Sequence, residues 1–242
     1  EQLTQAIKLD PGLVEAYRDR AVARQTLGKT ELARQDFEKA RANGEDDFYL
    51  LKQFSILLKT LADTVKTDGT SRAKLIDECS KLCEKGLKLR PHNTALLVLQ
   101  TEIQFQLGGN NLVKARSSAQ RLLEETIDRQ QKSYAFVVLG LIEQRQRKEE
   151  MAADFFRKAI FSNDKNFAAY LNLGISLQNQ AVTAPNQSAQ NAMLKNALTA
   201  FQMALKLQPS AAESLLEKIA KVQADLKNFA DAIEIYSGVI RQ

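Results

Sequence analysis

The chain has 242 residues and a mass of 27.1 kDa, which is enough for one large domain or two small ones. Charged residues make up 26%, apolar residues 44% and the formal net charge is +5, so the composition excludes disordered and low-complexity classes. With only 10 glycines and 4 prolines, and no apolar run of the roughly 18 residues that span a bilayer, the chain is predicted to be helical and not transmembrane.

The first elements along the chain are a single helix and then a pair. Apolar residues recur at helical spacing in segments of about 12 to 16 residues, which short polar turns separate. Residues 1–11 carry Leu3 and Ile7 at this spacing and are predicted to be a second helix that lacks its partner. Residues 14–45 form the first complete pair, with a turn at Gly28.

The next two pairs, 46–91 and 94–132, are less regular, and the first of them holds both cysteines. Cys79 and Cys83 lie four residues apart on one helical face, which is a poor spacing for a disulfide. A zinc site would need two further ligands, and the only histidine is His92 in a turn. We therefore predict packed thiols in the core, which favour a reducing compartment.

The last three pairs, 133–166, 167–209 and 213–242, restore a regular pattern. In the first two of these pairs, the first helix carries the dipeptide Leu-Gly. The second helix carries a small residue, then an aromatic residue, then another small residue. These residues are Leu139, Gly140, Ala152, Phe156 and Ala159 in one pair and Leu173, Gly174, Ala197, Phe201 and Ala204 in the other. A period of about 34 residues is typical of a helical solenoid, in which each pair packs only against its neighbours.

In these residues the chain resembles the tetratricopeptide repeat (TPR) family. The resemblance covers 1–242 as a single array and implies an all-α, right-handed superhelical solenoid of antiparallel helix pairs. Arg20 departs from the family pattern, which usually has Leu there. Four aromatic residues are expected to fill the space between pairs: Phe37, Phe156, Phe201 and Tyr236.

Two pairs carry polar insertions, at 62–73 and 181–191. Their composition predicts lengthened turns between two antiparallel helices. Such loops serve recognition in some proteins, and extra helical turns without a functional role are the alternative.

The resemblance also implies a binding surface, because the first helices of a solenoid line its concave side. TPR proteins commonly receive an extended peptide or a helix there. The stripe expected to face this groove is mostly apolar: Val98, Leu99, Tyr134, Val137, Val138, Leu141, Leu171, Asn172 and Ile175. Basic residues flank it, namely Arg18, Lys52 and Lys59 on one side and Lys218 and Lys221 on the other.

This pattern favours a groove for an amphipathic or extended peptide segment of a protein partner, whose acidic ends meet the basic flanks. Self-association and burial of the stripe within the fold are the alternatives. The side-chain amide of Asn172 can donate and accept hydrogen bonds at the same time, so it could bind the backbone of a peptide. The alternative is that Asn172 is an ordinary Asn on a helix surface.

Catalysis is not expected, because no phosphate loop, HExxH or GxSxG motif occurs and a lone histidine lies in a turn. No cofactor or metal is predicted either. The sequence therefore predicts a non-catalytic, cytoplasmic protein-interaction scaffold. The pI of about 9.1 keeps an RNA-binding helical repeat as an alternative, and a self-associating spacer within a larger complex is another. Because helical spacing begins at Leu3 after a first residue Glu1, we expect an excerpt of a longer protein.

Overall fold

The structure is a computed structural model that describes residues 1–44, 46–65 and 69–240. These residues form thirteen α-helices and a 3-10 turn at Pro209–Ala211, with no strand among them, so the all-α prediction is confirmed. The helices are α1 (Gln2–Leu9), α2 (Val14–Thr26), α3 (Thr30–Asn43), α4 (Phe48–Thr64), α5 (Gly69–Leu89), α6 (Thr94–Leu107), α7 (Asn111–Glu125), α8 (Arg129–Arg145), α9 (Glu149–Ser162), α10 (Phe167–Val182), α11 (Gln187–Leu207), α12 (Ala212–Asp225) and α13 (Phe229–Ile240).

The chain divides into two compact units, an N-terminal unit of Glu1–Gly108 and a C-terminal unit of Gly109–Gln242. The boundary between the units falls inside the predicted pair 94–132, and the single array over 1–242 stays a prediction. Gly108 and Gly109 have φ of 63° and 52°, a left-handed conformation that glycine adopts without a steric penalty. Two such residues in succession end α6 and separate it from α7.

In the N-terminal unit, α2 packs on α3 and α4 on α5, while α3 contacts α4. The contact between these pairs is aromatic, because the fully buried rings of Phe37 and Phe54 stack with their centroids 5.2 Å apart. Cys79 and Cys83 are fully buried and unbridged, and the Cys79 thiol donates to the carbonyl of Ser55 at 3.1 Å. The prediction of packed core thiols is confirmed.

Arg20, the departure from the family pattern, has a partner on the neighbouring helix. Its Nε and Nη2 donate to the two carboxylate oxygens of Asp36, each at 2.8 Å, and Arg24 Nη1 adds a third bond at 2.7 Å. Asp36 is only 3% exposed, so its charge is matched almost entirely by these two guanidinium groups. An ion pair thus joins α2 to α3 where leucine packing is usual.

In the C-terminal unit, the pairs α8–α9, α10–α11 and α12–α13 pack in chain order, and α7 packs on α8. Phe156 and Phe201 are fully buried between helices, as predicted. Tyr236 is 39% exposed, so the expectation that it fills the same kind of space is wrong. Phe156 and Phe201 belong to one core cluster of the unit, and Tyr236 is not part of it.

The two predicted insertions are mostly helix rather than turn. Over 181–191, α10 continues to Val182 and α11 begins at Gln187, where the Asn186 side chain accepts a bond from the backbone N–H of Ala189 at 2.9 Å. Over 62–73, α4 continues to Thr64 and α5 begins at Gly69, and residues 66–68 lie outside the described part. Helix therefore occupies most of the described residues of both insertions, as the alternative of extra helical turns predicted.

Candidate interaction site

The predicted binding stripe lies mainly on α8 and α10, two helices that contact each other directly. Gln144 Nε2 of α8 donates to Ser176 Oγ of α10 at 3.2 Å, a polar link between them. Five residues of the stripe are half-buried on these helices, and we call them the inner surface of the C-terminal unit: Tyr134, Leu141, Leu171, Asn172 and Ile175. Leu141, Leu171 and Ile175 pack against the hydrophobic core and keep part of their surface accessible.

Val137 and Val138, which the sequence also assigned to the groove, are only 7% and 3% exposed. Val137 belongs to the core cluster that also contains Leu173 and Phe156. The two valines are therefore buried side chains that stabilise the unit and offer almost no surface to a ligand. The predicted site is therefore smaller than expected.

Two further residues of the predicted stripe lie on α6, in the N-terminal unit. Val98 is half-buried and Leu99 is buried, at 8% exposure. The assignment of Leu99 to an accessible groove is wrong, because its side chain is buried.

Asn172 uses its amide within its own helix. Its Nδ2 donates to the carbonyl of Ala168, one helical turn earlier, at 2.8 Å. This is the local bond that Asn side chains make in helices when no ligand engages them. One amide N–H is therefore committed in the structure, while the side chain stays half-buried on the inner surface.

Lys59, a predicted basic flank, is not an accessible charge. It is 5% exposed, and its Nζ lies 2.6 Å from Asp63 Oδ2 and 2.7 Å from Glu102 Oε1. Burial alone would lower the pKa of Lys59, but the hydrogen bonds from its ammonium to Asp63 and Glu102 outweigh burial and raise that pKa. The prediction of a free flank is wrong here, since this lysine joins α4 to α6.

The other flanking residues differ in whether a carboxylate within the protein pairs with their charge. Arg18 lies over the ring of Tyr49 at 5.1 Å and bonds Asp19 at 2.9 Å and Asp47 at 3.3 Å, so its charge is matched within the N-terminal unit. Lys52 is half-buried on α4. On α12, Lys218 is half-buried and Lys221 exposed, and in the described part of the chain neither has a carboxylate within 4 Å.

Sequence reasoning missed one buried charge beside the inner surface. Glu143 of α8 is 1% exposed, with Oε1 2.5 Å from Arg116 Nη1 of α7 and Oε2 3.9 Å from Lys148 Nζ. A Glu in a helix usually lies on the surface, which is why it was overlooked. The available signal is its position four residues after Leu139, on the buried face. Its role is structural, because it ties α7 to α8.

In the ranges 1–44, 46–65 and 69–240, none of the helices is long and apolar enough to cross a bilayer. Within the same ranges, no three His, Cys, Asp or Glu side chains are grouped so that they could hold a metal ion.

Comparison with known proteins supports the fold. No family model and no curated protein sequence matches the chain. Among solved structures, PilF of Pseudomonas aeruginosa aligns with a TM-score of 0.70 and 15% identity over 94% of this chain and 90% of its own. The C-terminal part of a TPR repeat-containing protein from Cytophaga hutchinsonii gives 0.70 and 12% identity over 99% and 87%.

A third solved structure, YrrB, is described as a TPR protein with an unusual peptide-binding site. It aligns with a TM-score of 0.58 and 16% identity over 85% of this chain and 91% of its own. At these identities the likeness establishes the fold. The chain therefore has the fold of TPR proteins, as the sequence resemblance predicted.

Proposed function

From this TPR-type fold we propose that the protein is a non-catalytic protein-interaction scaffold. Its C-terminal unit binds an amphipathic helix or an extended peptide of a partner protein along α8 and α10. The observation that carries the proposal is the inner surface, where Tyr134, Leu141, Leu171 and Ile175 keep apolar area accessible on two adjacent helices.

The physical basis is the removal of this apolar surface from water, which contributes about 25 cal/mol per Å². Tyr134 and Leu141 lie two helical turns apart, and Leu171 and Ile175 lie one turn apart, so each pair shares a face of its helix. A ligand with apolar side chains at helical or alternate spacing matches such rows. The proposal also draws support from YrrB, whose similar fold carries a peptide-binding site.

Charged side chains on α12 favour one orientation of the bound peptide. Gln178 Nε2 of α10 lies 3.5 Å from Asp225 Oδ2 at the end of α12, which links α10 to the helix that carries Lys218 and Lys221. Because these two lysines have no carboxylate partner in the described ranges, they favour an acidic residue at one end of the ligand.

The test is affinity capture from source lysate with wild type, Leu171→Glu and Val182→Glu. Leu171 is half-buried on the inner surface, whereas Val182 is 81% exposed at the end of α10. Val137 is unsuitable for such a change, since a charge at a core position would unfold the unit. We expect wild type and Val182→Glu to capture a partner protein that Leu171→Glu does not capture. Circular dichroism should show the same helicity for all three proteins. Identical capture by all three would refute the proposed surface.

A further inference from the structure

Phe161, at the end of α9, is a large aromatic residue that packing of the repeat does not explain. It is 85% exposed. It follows the buried Phe156 by five residues, and the residues five after the buried Phe37 and Phe201 are Ala42 and Lys206. The other regular pairs thus have a small or charged side chain where this pair has a phenyl ring. An exposed aromatic with no structural task is a candidate contact for a partner.

A cavity of about 590 Å³ lies beside this ring, where α9 ends and α8 begins. Its volume is within the range of sites that hold small ligands or peptide side chains. Arg129 Nη2 donates to the carbonyl of Phe161 at 3.4 Å, so the start of α8 is joined to the end of α9 across the cavity.

The charges around the cavity are mainly positive. Arg129 and Lys165 line it together with one acid, Asp164. Lys158 lies one helical turn before Phe161, with its Nζ 5.3 Å from the centre of the Phe155 ring. In the described part of the chain none of these three cations has a carboxylate within 4 Å. Their charge is available to an anionic group on a ligand.

We propose that Arg129, Phe161 and Lys165 form a second docking site, the α9 rim site, for an acidic peptide segment with a large apolar side chain. The apolar side chain lies against Phe161 and in the cavity, and carboxylates of the segment bind Arg129 and Lys165. The recess between the two helix ends can take up one side chain of a peptide, whereas a flat anionic membrane would contact only its edge, and this favours the peptide. The site shares no residue with the inner surface.

The experiment selects a random library of 12-residue peptides on the immobilised full chain, after depletion on the variant Phe161→Ala/Arg129→Gln. Enriched peptides are then measured by fluorescence anisotropy against wild type, the double variant, Leu171→Glu and Val182→Ala. Val182→Ala is the matched control, because it removes an equally exposed apolar side chain elsewhere in the unit. Vesicles that contain phosphatidylserine are tested in parallel.

We expect enriched peptides that are acidic, carry a large apolar residue and bind wild type at least about tenfold more tightly than the double variant. Leu171→Glu and Val182→Ala should bind them like wild type, which separates this site from the proposed inner surface. Four results would overturn the proposal. They are no enrichment of peptides, equal binding by the double variant, a preference for basic peptides, or a dependence on Phe161 of vesicle binding but not of peptide binding.

Discussion

Gly140 lies directly against the ring of Phe156. A Cβ atom on Gly140 would be 2.5 Å from Cε1 of that ring, and Gly174 stands in the same relation to Phe201, also at 2.5 Å. Both rings are fully buried, so neither has room to withdraw. The Leu-Gly and Phe of these two pairs are therefore the two halves of one contact between first and second helix.

We expect Gly140→Ala to lower the free energy of unfolding by about 1–3 kcal/mol, because the added methyl overpacks the contact. Gly238→Ala is the matched control, since a Cβ at this helical glycine has nothing within 4 Å. Helix propensity alone should make that control neutral or more stable by up to about 1 kcal/mol. Urea unfolding measures both, and stabilisation by Gly140→Ala would contradict the close contact.

Asp36→Asn should destabilise the N-terminal unit by about 1–3 kcal/mol, because it removes charge-assisted bonds to Arg20 and Arg24. Asp154→Asn provides the comparison. Asp154 pairs with Arg157 at 2.7 Å but is 61% exposed, and we expect a change below about 1 kcal/mol. Thermal and urea unfolding of both variants measure the difference, and equal effects would mean that burial of Asp36 adds nothing.

The Asp46 carboxylate should make part of the stability depend on pH. Burial alone would raise the pKa of Asp46, but hydrogen bonds from Lys85 and Arg41 outweigh burial and lower that pKa below its ordinary 3.8. A lowered pKa in the folded state contributes stability that is present above the ordinary value and lost as the pH falls through the lowered one. The difference in unfolding free energy between wild type and Asp46→Asn should hold from about pH 7 to about pH 5 and shrink below about pH 4. A difference that is constant down to about pH 2 would contradict this ion pair.

The thiols of Cys79 and Cys83 should be unreactive in the folded protein, because both side chains are fully buried and a reagent in solution cannot reach them. For Cys79, the hydrogen bond with Cys83, together with burial, also raises the pKa above its usual range. We expect Ellman's reagent to modify neither thiol until urea unfolds the chain. Val182→Cys adds an exposed thiol as the internal standard, and native thiols that react as fast as this one would show that the core is open.

The sequence predicted the helix pairs well where the packing contact is local. The spacing of Leu139-Gly140 and Phe156 follows directly from the packing of one helix against the next, so it can be recognised in a single sequence. The boundary at Gly108-Gly109 has no such local signal, because glycine between helices is compatible with a tight turn inside a pair and with the end of a compact unit.

The binding surface was harder to predict because accessibility depends on a neighbouring helix. Val137 and Leu141 are both apolar residues of the same helix, and only the packing of other helices makes the first a core residue and leaves the second half-buried. Lys59 illustrates the same limit for charge. Its carboxylate partner Glu102 lies 43 positions away on another helix, beyond any local pattern.

The most direct test of the proposed inner surface is site-specific photo-crosslinking in source lysate. Benzoylphenylalanine would replace Tyr134 of the inner surface or, as a control of the same residue type, Tyr49, which is 42% exposed in the N-terminal unit. The proposal predicts a crosslinked partner protein from position 134, absent from position 49 and abolished by Leu171→Glu. Crosslinking that is equal at both positions, or that survives Leu171→Glu, would contradict it.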